Sequence, residues 1–438
     1  MKSRFWGGVH PLGEISSGKK PTKDLAVQVF APKSVRIPMN MHVGAPSNPI
    51  VKAGEHVLIG QLVAEAVGPL GVKVHASVSG VVTEVREASN GVPACVTIEN
   101  DFKDEWAETV PLGDVETCDP AGILGAIQDA GLCGMGGAGF PTHVKMCIPC
   151  GDLCEMVILN GAECETHLTS DHRLMLEQPE RVLKGLRAAM RAFGSGKGVV
   201  AIEDNKEDAI DAMRKSAEGL SGVSVMKLAT RYPQGGEKQL IQAVAGREVP
   251  SGKLPIDAGV VVLNVASAAA IADAVEMGRP LVDRIVTVTG HIVHPANLRV
   301  PIGTTVGEII EFCGGVADGL EKSAKIVMGG AMMGMCASGP EMPVTKGAGG
   351  IVVYAPEEAP KPTPCIRCGR CAEVCPAGLM PYEMEARILS KHLADAEAIG
   401  VMDCILCGCC SYICPARRVL APAFRDARGQ IIAERRKK

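Results

Sequence analysis

Hydrophobic and polar positions change their period several times along this chain. Through residues 1–100, Val, Gly and Pro dominate, and short alternating runs such as Val51–Glu65 and Val72–Val85 are cut by turn residues. That pattern predicts the short strands of an all-β module. From Asp119 to about Met277 apolar runs alternate with helical spacing, with strands predicted at Met156–Leu159, Val199–Ile202, Val223–Leu228 and Val260–Leu263. Helices such as Pro179–Phe193 and Glu207–Glu218 fall between them, which predicts a mostly parallel sheet covered on both faces. Residues 284–315 read as a ββα unit, with strands at Val286–His291 and Asn297–Thr305 before a helix at Val306–Phe312. Ala355–Pro364 is a Pro-rich, semi-rigid linker that would allow the cysteine-rich segment beyond it to swing, and Tyr382–Leu393 carries apolar residues at helical spacing. The most apolar run, Ala258–Val275, is interrupted by Asn264, Ser267 and Asp273, so it predicts a buried strand and helix, not a membrane span.

A length of 438 residues suits about three domains. With 45 Lys+Arg against 49 Asp+Glu the chain offers no basic field, and with 2 Trp, 4 Tyr and 7 Phe no stacking platform, so nucleic acid is not an expected partner. The 18 Cys change the picture: nine lie between Cys365 and Cys414, whereas none precedes Cys95. A disulfide framework would spread its cysteines through a small secreted domain. The stretch Met1–His10 has no apolar run long enough for a signal peptide, so a reducing compartment and bound metal are expected.

Cys365-x2-Cys368-x2-Cys371-x3-Cys375-Pro376 recurs as Cys404-x2-Cys407-x2-Cys410-x3-Cys414-Pro415. Each run matches the bacterial ferredoxin spacing, in which a tight loop aims three thiolates at one [4Fe-4S] cluster and the fourth cysteine crosses to the other. The expected ligand sets are Cys365, Cys368, Cys371 and Cys414 for one cluster, and Cys404, Cys407, Cys410 and Cys375 for the second. Paired CxxC motifs also bind zinc, but two four-cysteine runs each closed by Pro favour cubanes and one-electron transfer. Cys409 breaks the spacing and reads as a bystander. Cys133, Cys147, Cys150, Cys154 and Cys164 are either buried free thiols or a further metal site.

Gly134-Met-Gly136-Gly137-Ala-Gly139-Phe140-Pro141 holds a GxGxxG pattern without the preceding strand of a dinucleotide fingerprint. Ile123, Leu124 and Ile127 place a helix before it, so the loop joins helix to helix. Such glycines let backbone N–H groups close on an anion, with Lys145 as a counter-charge; the alternative is a flexible turn with a solvated lysine.

Several blocks carry resemblances. Val51–Glu65 followed by Val74–Val82 resembles the barrel-sandwich fold of biotinyl and lipoyl domains, but Gly68-Pro-Leu-Gly-Val-Lys73-Val74 lacks their cofactor-bearing motif. Lys73 is therefore expected to be an ordinary surface residue. Gly134–Lys145 resembles the GxGGAGFPxxxK flavin loop of the NADH-binding 51-kDa subunit of respiratory complex I. Asn160-Gly-Ala-Glu163-Cys-Glu165, Gly235-Gly-Glu237-Lys-Gln-Leu-Ile and Asn264-Val-Ala-Ser267 follow in that family's order, and the ββα unit resembles its SLBB module. The whole order, with Gly7-Gly-Val-His10-Pro11 and Gly329-Gly-Ala-Met-Met-Gly334, is similar to the C subunits of Rnf ion-translocating electron-transport complexes.

This resemblance implies a multidomain α/β protein. Its parts would be a barrel-sandwich domain (1–110), a Rossmann-like FMN/NADH domain (118–280), an SLBB β-grasp module (281–354) and a helical, ferredoxin-like two-cluster domain (355–438). It implies FMN, with NADH as substrate, held by Gly134, Gly136, Gly137, Gly139, Lys145, Asn160, Glu163, Glu237 and Asn264. Phe140 would stack on the nicotinamide nucleotide and Glu165 would lie near its ribose. The sequence departs from the complex I pattern at Ala162, Met146 and Pro233. The implied function is electron transfer between NADH and ferredoxin, coupled to Na+ or H+ movement by integral-membrane and ferredoxin-like partner subunits, at the cytoplasmic face of the membrane. The alternatives are a soluble corrin reductase and an electron wire without flavin. The basic tail Ala433–Lys438 reads as a solvated end.

Overall fold

The computed structural model describes residues 5–11, 18–89, 92–147, 153–320, 324–356 and 361–435. Cys150, part of the Ala355–Pro364 linker and the last three residues of the basic tail lie outside them.

The first part of the chain forms β1 (Val27–Val29), β2 (Ser34–Pro38), β3 (Asn48–Pro49), β4 (His56–Val57), β5 (Leu62–Glu65), β6 (Val74–His75), β7 (Gly80–Arg86) and β8 (Cys95–Asn100). One antiparallel sheet runs β2-β8-β7-β4 and a smaller one β3-β5-β6. Their alternating apolar positions, among them Val35, Ile37, Val57, Val63, Val82 and Ile98, are fully buried in a core that continues into the next module. The exception is β1. It is expected among the strands of the barrel, yet it pairs in parallel with β14 of the third sheet. The reason is edge protection: β14 would otherwise present unpaired N–H and C=O groups to solvent.

The central module comprises α1 (Pro120–Asp129), α2 (Thr142–Met146), β9 (Met156–Gly161), α3 (Ser170–Glu177), α4 (Pro179–Phe193), β10 (Gly198–Glu203), α5 (Glu207–Ser216), β11 (Val223–Leu228), α6 (Glu237–Ala245), β12 (Val260–Asn264) and α7 (Val265–Met277). Its four strands are all parallel, in the order β11-β10-β9-β12. Along each strand the side chains alternate between two cores. Val157, Leu159, Val200 and Val261 join the core shared with the barrel, while Ile158, Val199, Val260 and Val262 pack with Leu240 and Ile241 of α6. Near-continuous apolar runs are what a sheet covered on both faces requires. Helices α4 and α7 meet so closely that a Cβ at Gly185 would overlap the Ala268 carbonyl.

The third module holds β13 (Asp283–Gly290), β14 (Ala296–Pro301), α8 (Val306–Phe312), β15 (Lys325–Met328), β16 (Met335–Cys336) and β17 (Gly350–Tyr354) in the sheet β1-β14-β13-β17-β15-β16. Thr305 caps α8 by accepting from the Glu308 N–H. The last module is helical: α9 (Arg370–Glu373), α10 (Pro381–Leu389), α11 (Leu393–Ala398), α12 (Cys409–Ile413) and α13 (Leu420–Arg435). Met384, Ala396, Val401, Leu420, Phe424 and Ile431 form its core. Phe424 is fully buried, a contribution of about 1.5–3 kcal/mol. Among the described residues no helix is long and apolar enough to cross a membrane.

Candidate functional site

Chain order along the central sheet reverses between β9 and β12, because β10 and β11 build out on one side of β9 and β12 returns on the other. In open α/β sheets the crevice outside the carboxyl ends of strands at such a reversal is where ligands bind. Asn160 and Asn264 stand there as register partners on β9 and β12. The Asn160 amide donates to the Gly235 carbonyl at 2.8 Å, tying the start of the Gly235–Glu237 turn to the strand. Asn264 caps α7 by accepting from the Ala266 N–H at 2.8 Å and donates to Asp171 at 2.7 Å.

The glycine loop lies directly over this pair. A Cβ on Gly136 would come within 3.0 Å of the Asn264 amide, so glycine is what allows the approach. The loop is anchored at its start, where Gly134 N–H donates to the Phe140 carbonyl at 2.8 Å and Met135 N–H to the Ser267 hydroxyl at 3.1 Å. At its far end Gly139, at φ +68°, accepts from Val43 N–H of the barrel. Between the anchors, among the described residues, no acceptor meets the N–H groups of Gly136, Gly137, Ala138 and Gly139. The space beside Gly137 is open and Phe140 is 39% exposed. Lys145 of α2 and Glu237 at the start of α6 pair at 2.6 Å. Unpaired backbone donors, two strand-end amides and a cation converging on one crevice suit a phosphorylated, amide-bearing ligand such as FMN.

The turn leaving β9 is held from below. Glu163 sits at φ +45°, unusual for a non-glycine residue, and its carboxylate accepts from the Asp171 and His172 N–H groups at 2.8 and 3.2 Å. It therefore caps α3, in the place the helix dipole favours for an anion. Two buried lysines complete the clamp. Lys19 donates to the Glu163 carbonyl at 2.8 Å and to the Leu168 carbonyl, and Lys206 donates to the Ala162 carbonyl at 2.6 Å. Burial pulls the Lys19 pKa down to about 8, against the attraction of Glu163. Burial, then the Glu163 charge, pushes Asp171 up to about 6.

Glu165 is engaged elsewhere. Its carboxylate accepts from the Met332 and Met333 N–H groups, both at 2.9 Å, so it grips the Gly329–Gly334 turn, and burial raises its pKa. Of the three departures noted in the sequence, Ala162 offers its carbonyl to Lys206, Met146 is buried, and Pro233 follows a buried Tyr232. Lys73 pairs with Asp129 of α1 at 2.8 Å, fastening the barrel hairpin to the central module.

In the last module the two expected cysteine sets come together separately. Cys365, Cys368, Cys371 and Cys414 line one small cavity with Tyr382 and Arg418. Cys375, Cys404, Cys407 and Cys410 line another with Met384 and Phe424, and Cys409 also reaches its wall. The two runs share backbone conformation as well as spacing. Positive φ recurs at Arg367 and Leu406, at Gly369 and Gly408, and at Gly378 and Arg417. These turns aim backbone N–H groups at sulfur: Arg367 to Cys365, Leu406 to Cys404 and Leu379 to Cys375, each at 3.4 Å. Four thiols per cavity with N–H donors to sulfur is the donor set that an iron–sulfur cube takes.

The second cavity abuts the central module. The Tyr232 hydroxyl donates to the Cys407 carbonyl at 2.7 Å, and Val9, Cys164, Tyr232, Cys407 and Cys409 form one buried apolar cluster. Cys164 in turn accepts from the Gly235 N–H at 3.2 Å, so the cluster reaches the crevice turn. The N-terminal segment pins this junction, with Gly8 N–H donating to the Val374 carbonyl and Val9 bridging Tyr232. A linker that would permit swinging thus joins modules that pack through a buried interface. Cys133, Cys147, Cys154 and Cys164, among the described residues, bring no three ligand atoms within the 4.8 Å that a single metal ion would need. Cys133 and Cys154 instead face the Met41 and Met156 carbonyls.

Sequence reasoning passed over Lys19, Lys206, Asp171 and Tyr232. Lys206 had a signal, since the charged run Glu203-Asp-Asn-Lys206 follows an apolar strand at its ligand-facing end; Lys19 had none.

Family models match in the order barrel, flavin, SLBB and clusters. They are the RnfC barrel sandwich hybrid domain at residues 3–103, the Nuo51 FMN-binding domain at 127–273, the SLBB domain at 285–335 and a 4Fe-4S dicluster domain at 364–419. The chain is 45% identical over 99% of its length to the C subunit of the Na(+)-translocating ferredoxin:NAD(+) oxidoreductase complex of Acetobacterium woodii, covering 98% of that protein. It is 43% identical over 87% of its length to the proton-translocating counterpart of Clostridium ljungdahlii, covering 83% of it. With the C subunit of the ion-translocating oxidoreductase complex of Rhodobacter capsulatus it shares 42% identity over 99% of its length and 84% of that protein. A solved NAD+-reducing [NiFe]-hydrogenase in the H2-reduced state shares the fold at a TM-score of 0.50 and 20% identity, over 74% of this chain and 63% of that one. With such relatives over nearly its whole length and an FMN-binding domain followed by a 4Fe-4S dicluster domain, the chain belongs to the family of Rnf complex C subunits.

Proposed function

We propose that the chain is the peripheral electron-handling subunit of a membrane complex that couples electron transfer between NADH and ferredoxin to movement of Na+ or H+. The observation that carries the reading is the junction itself. A ligand crevice at the end of a parallel sheet and a four-cysteine cavity share one buried cluster through Cys164 and Tyr232. Bound FMN supplies a hydride acceptor for NADH that can release electrons one at a time. The chain's own residues do the rest. The glycine-loop N–H groups and the amides of Asn160 and Asn264 would hold and orient the flavin, and Lys145 would leave Glu237 to neutralise its phosphate. Phe140 would stack on the nicotinamide nucleotide, while Lys19 on Glu163 and Lys206 on the Ala162 carbonyl keep the turn rigid. Glu165 would meet the ribose on leaving the Met332–Met333 turn. Cys365, Cys368, Cys371 and Cys414 would hold one [4Fe-4S] cluster, and Cys404, Cys407, Cys410 and Cys375 the other.

On this reading the working domains are 1–110, 118–280, 281–354 and 355–438, with β1 lent to the third. The partners are integral-membrane and ferredoxin-like subunits, and the site of action is the cytoplasmic face of the membrane. The barrel module favours this reading over a corrin reductase, which shares only the later parts. Anaerobic addition of NADH to the FMN- and iron-reconstituted protein is the test: flavin and cluster absorbance should bleach together. A flavin that stays oxidised under excess NADH overturns the proposal.

A further inference from the structure

Where α3, α4 and α7 meet the third module, the structure leaves a cavity of about 270 Å³, and one water needs only about 10–15 Å³ of such space. One face of α7, from Ala266 to Met277, forms a wall of it. None of the residues expected to hold flavin lines it, so it is separate from the crevice. Four arginines and three aspartates stand around it. Arg181 holds Asp273 through Nε at 2.8 Å, Arg299 holds Asp283 at 3.1 Å, and Asp171 accepts from the Asn264 amide at 2.7 Å. That leaves Arg279 and Arg284, and among the described residues neither has a carboxylate within ion-pair distance. Arg284 is buried and its guanidinium reaches neutral partners alone: the Ala348 carbonyl at 3.2 Å, and the Met135 sulfur and carbonyl at 2.7 and 3.4 Å. A thioether is a weak acceptor, and five N–H groups outnumber these three contacts. A buried charge left without a counter-charge is costly, and burial pulls the Arg284 pKa down against the more distant Asp171. Arg279 is exposed and stacks on Trp106, its guanidinium carbon 4.7 Å from the ring centroid.

We propose that this cavity binds a small organic dianion, one charged end on the buried Arg284 and the other on the exposed Arg279, with its carbon skeleton against Leu174, Ala269, Ala270 and Leu281. The two arginines without carboxylate partners set the number of charges, because each planar fork takes one carboxylate through two parallel N–H bonds. The apolar wall sets the skeleton, since an inorganic anion would leave that surface in contact with water. Such a ligand supplies Arg284 with the counter-charge that the chain itself withholds. The site goes beyond the function proposed above and does not depend on it. It shares one residue with the glycine loop: Met135, which accepts from Arg284, is also the residue whose N–H anchors the loop on Ser267.

The test is isothermal titration calorimetry of the flavin- and iron-loaded protein with succinate and glutarate as probes, and with acetate and inorganic phosphate as controls at the same ionic strength. At least one dicarboxylate should bind saturably, one per chain, about tenfold or more tighter than either control. Arg279→Ala, at an exposed position, should weaken it about tenfold, to the affinity of acetate, with iron and flavin content as in wild type. Arg284→Met, of similar length and without charge, should abolish binding; should that variant not fold, Arg279→Ala decides by itself. Dicarboxylates that bind wild type no tighter than acetate, or that either folded variant binds as tightly as wild type does, overturn the proposal. Phosphate binding as tight as theirs overturns it too, because the apolar wall would then play no part.

Discussion

Replacing Lys19 by Met tests how the turn at Glu163 is held. The buried ammonium lies 3.9 Å from the Glu163 carboxylate, and at an effective dielectric of about 20 such a pair attracts by about 4 kcal/mol. The pKa nonetheless falls from 10.5 to about 8, burial being the largest cause. At about 1.4 kcal/mol per pH unit, the charged side chain is therefore about 3 kcal/mol worse off than in water, the attraction included. Met removes that cost together with two charge-assisted hydrogen bonds, to the Glu163 and Leu168 carbonyls, at about 1.5–3 kcal/mol each. The net loss near pH 7 should lie between about zero and 3 kcal/mol, so the temperature of flavin release falls by no more than about 10 °C. Its pH dependence is sharper. Between pH 8 and 10.5 the unfolded chain still holds the Lys19 proton that the folded chain has lost, so the wild type gains stability on the variant as pH rises. Below about pH 8 the gap is constant. Flavin fluorescence released on heating, followed for both proteins from about pH 7 to about pH 10, measures it. A gap that does not change over that range refutes the account of Lys19 as a charged strut retained at a cost.

Gly136→Ala would set a Cβ 3.0 Å from an Asn264 amide fixed by its cap on α7; overpacking of this kind costs about 1–3 kcal/mol, and less flavin per chain should survive purification. A full flavin complement in that variant contradicts the position of the loop. Cys407→Ser should lose about four irons and Cys409→Ser none, by iron and sulfide analysis; equal losses would make Cys409 a ligand. Tyr232→Phe leaves the buried Cys407 carbonyl without its donor, at about 1–3 kcal/mol. Stopped-flow absorbance should show slower cluster reduction by NADH with flavin reduction unchanged, and equal slowing of both would place Tyr232 at the flavin itself.

Local chemistry was legible where one segment carries all of it. The two cysteine runs, the helix at Val306–Phe312 and the strands of the parallel sheet follow from spacing and period, because a ferredoxin loop and an apolar strand each satisfy their requirements within a few residues. The glycine loop was legible as an anion cradle, but not that Asn264 lies under it, since that depends on β12 returning beside β9. β1 went astray because three residues of weak pattern say nothing about which sheet edge they will cover. Lys19 and Glu165 were decided by partners far along the chain, the Glu163 turn and the Met332–Met333 turn. A buried charge has no period, and its position follows from whatever can satisfy it. So the sequence by itself determined which groups this protein has for one-electron and flavin chemistry. Only the tertiary structure decided which cysteine set faces the crevice and which faces solvent, because that order depends on burial between modules and not on the spacing within either run.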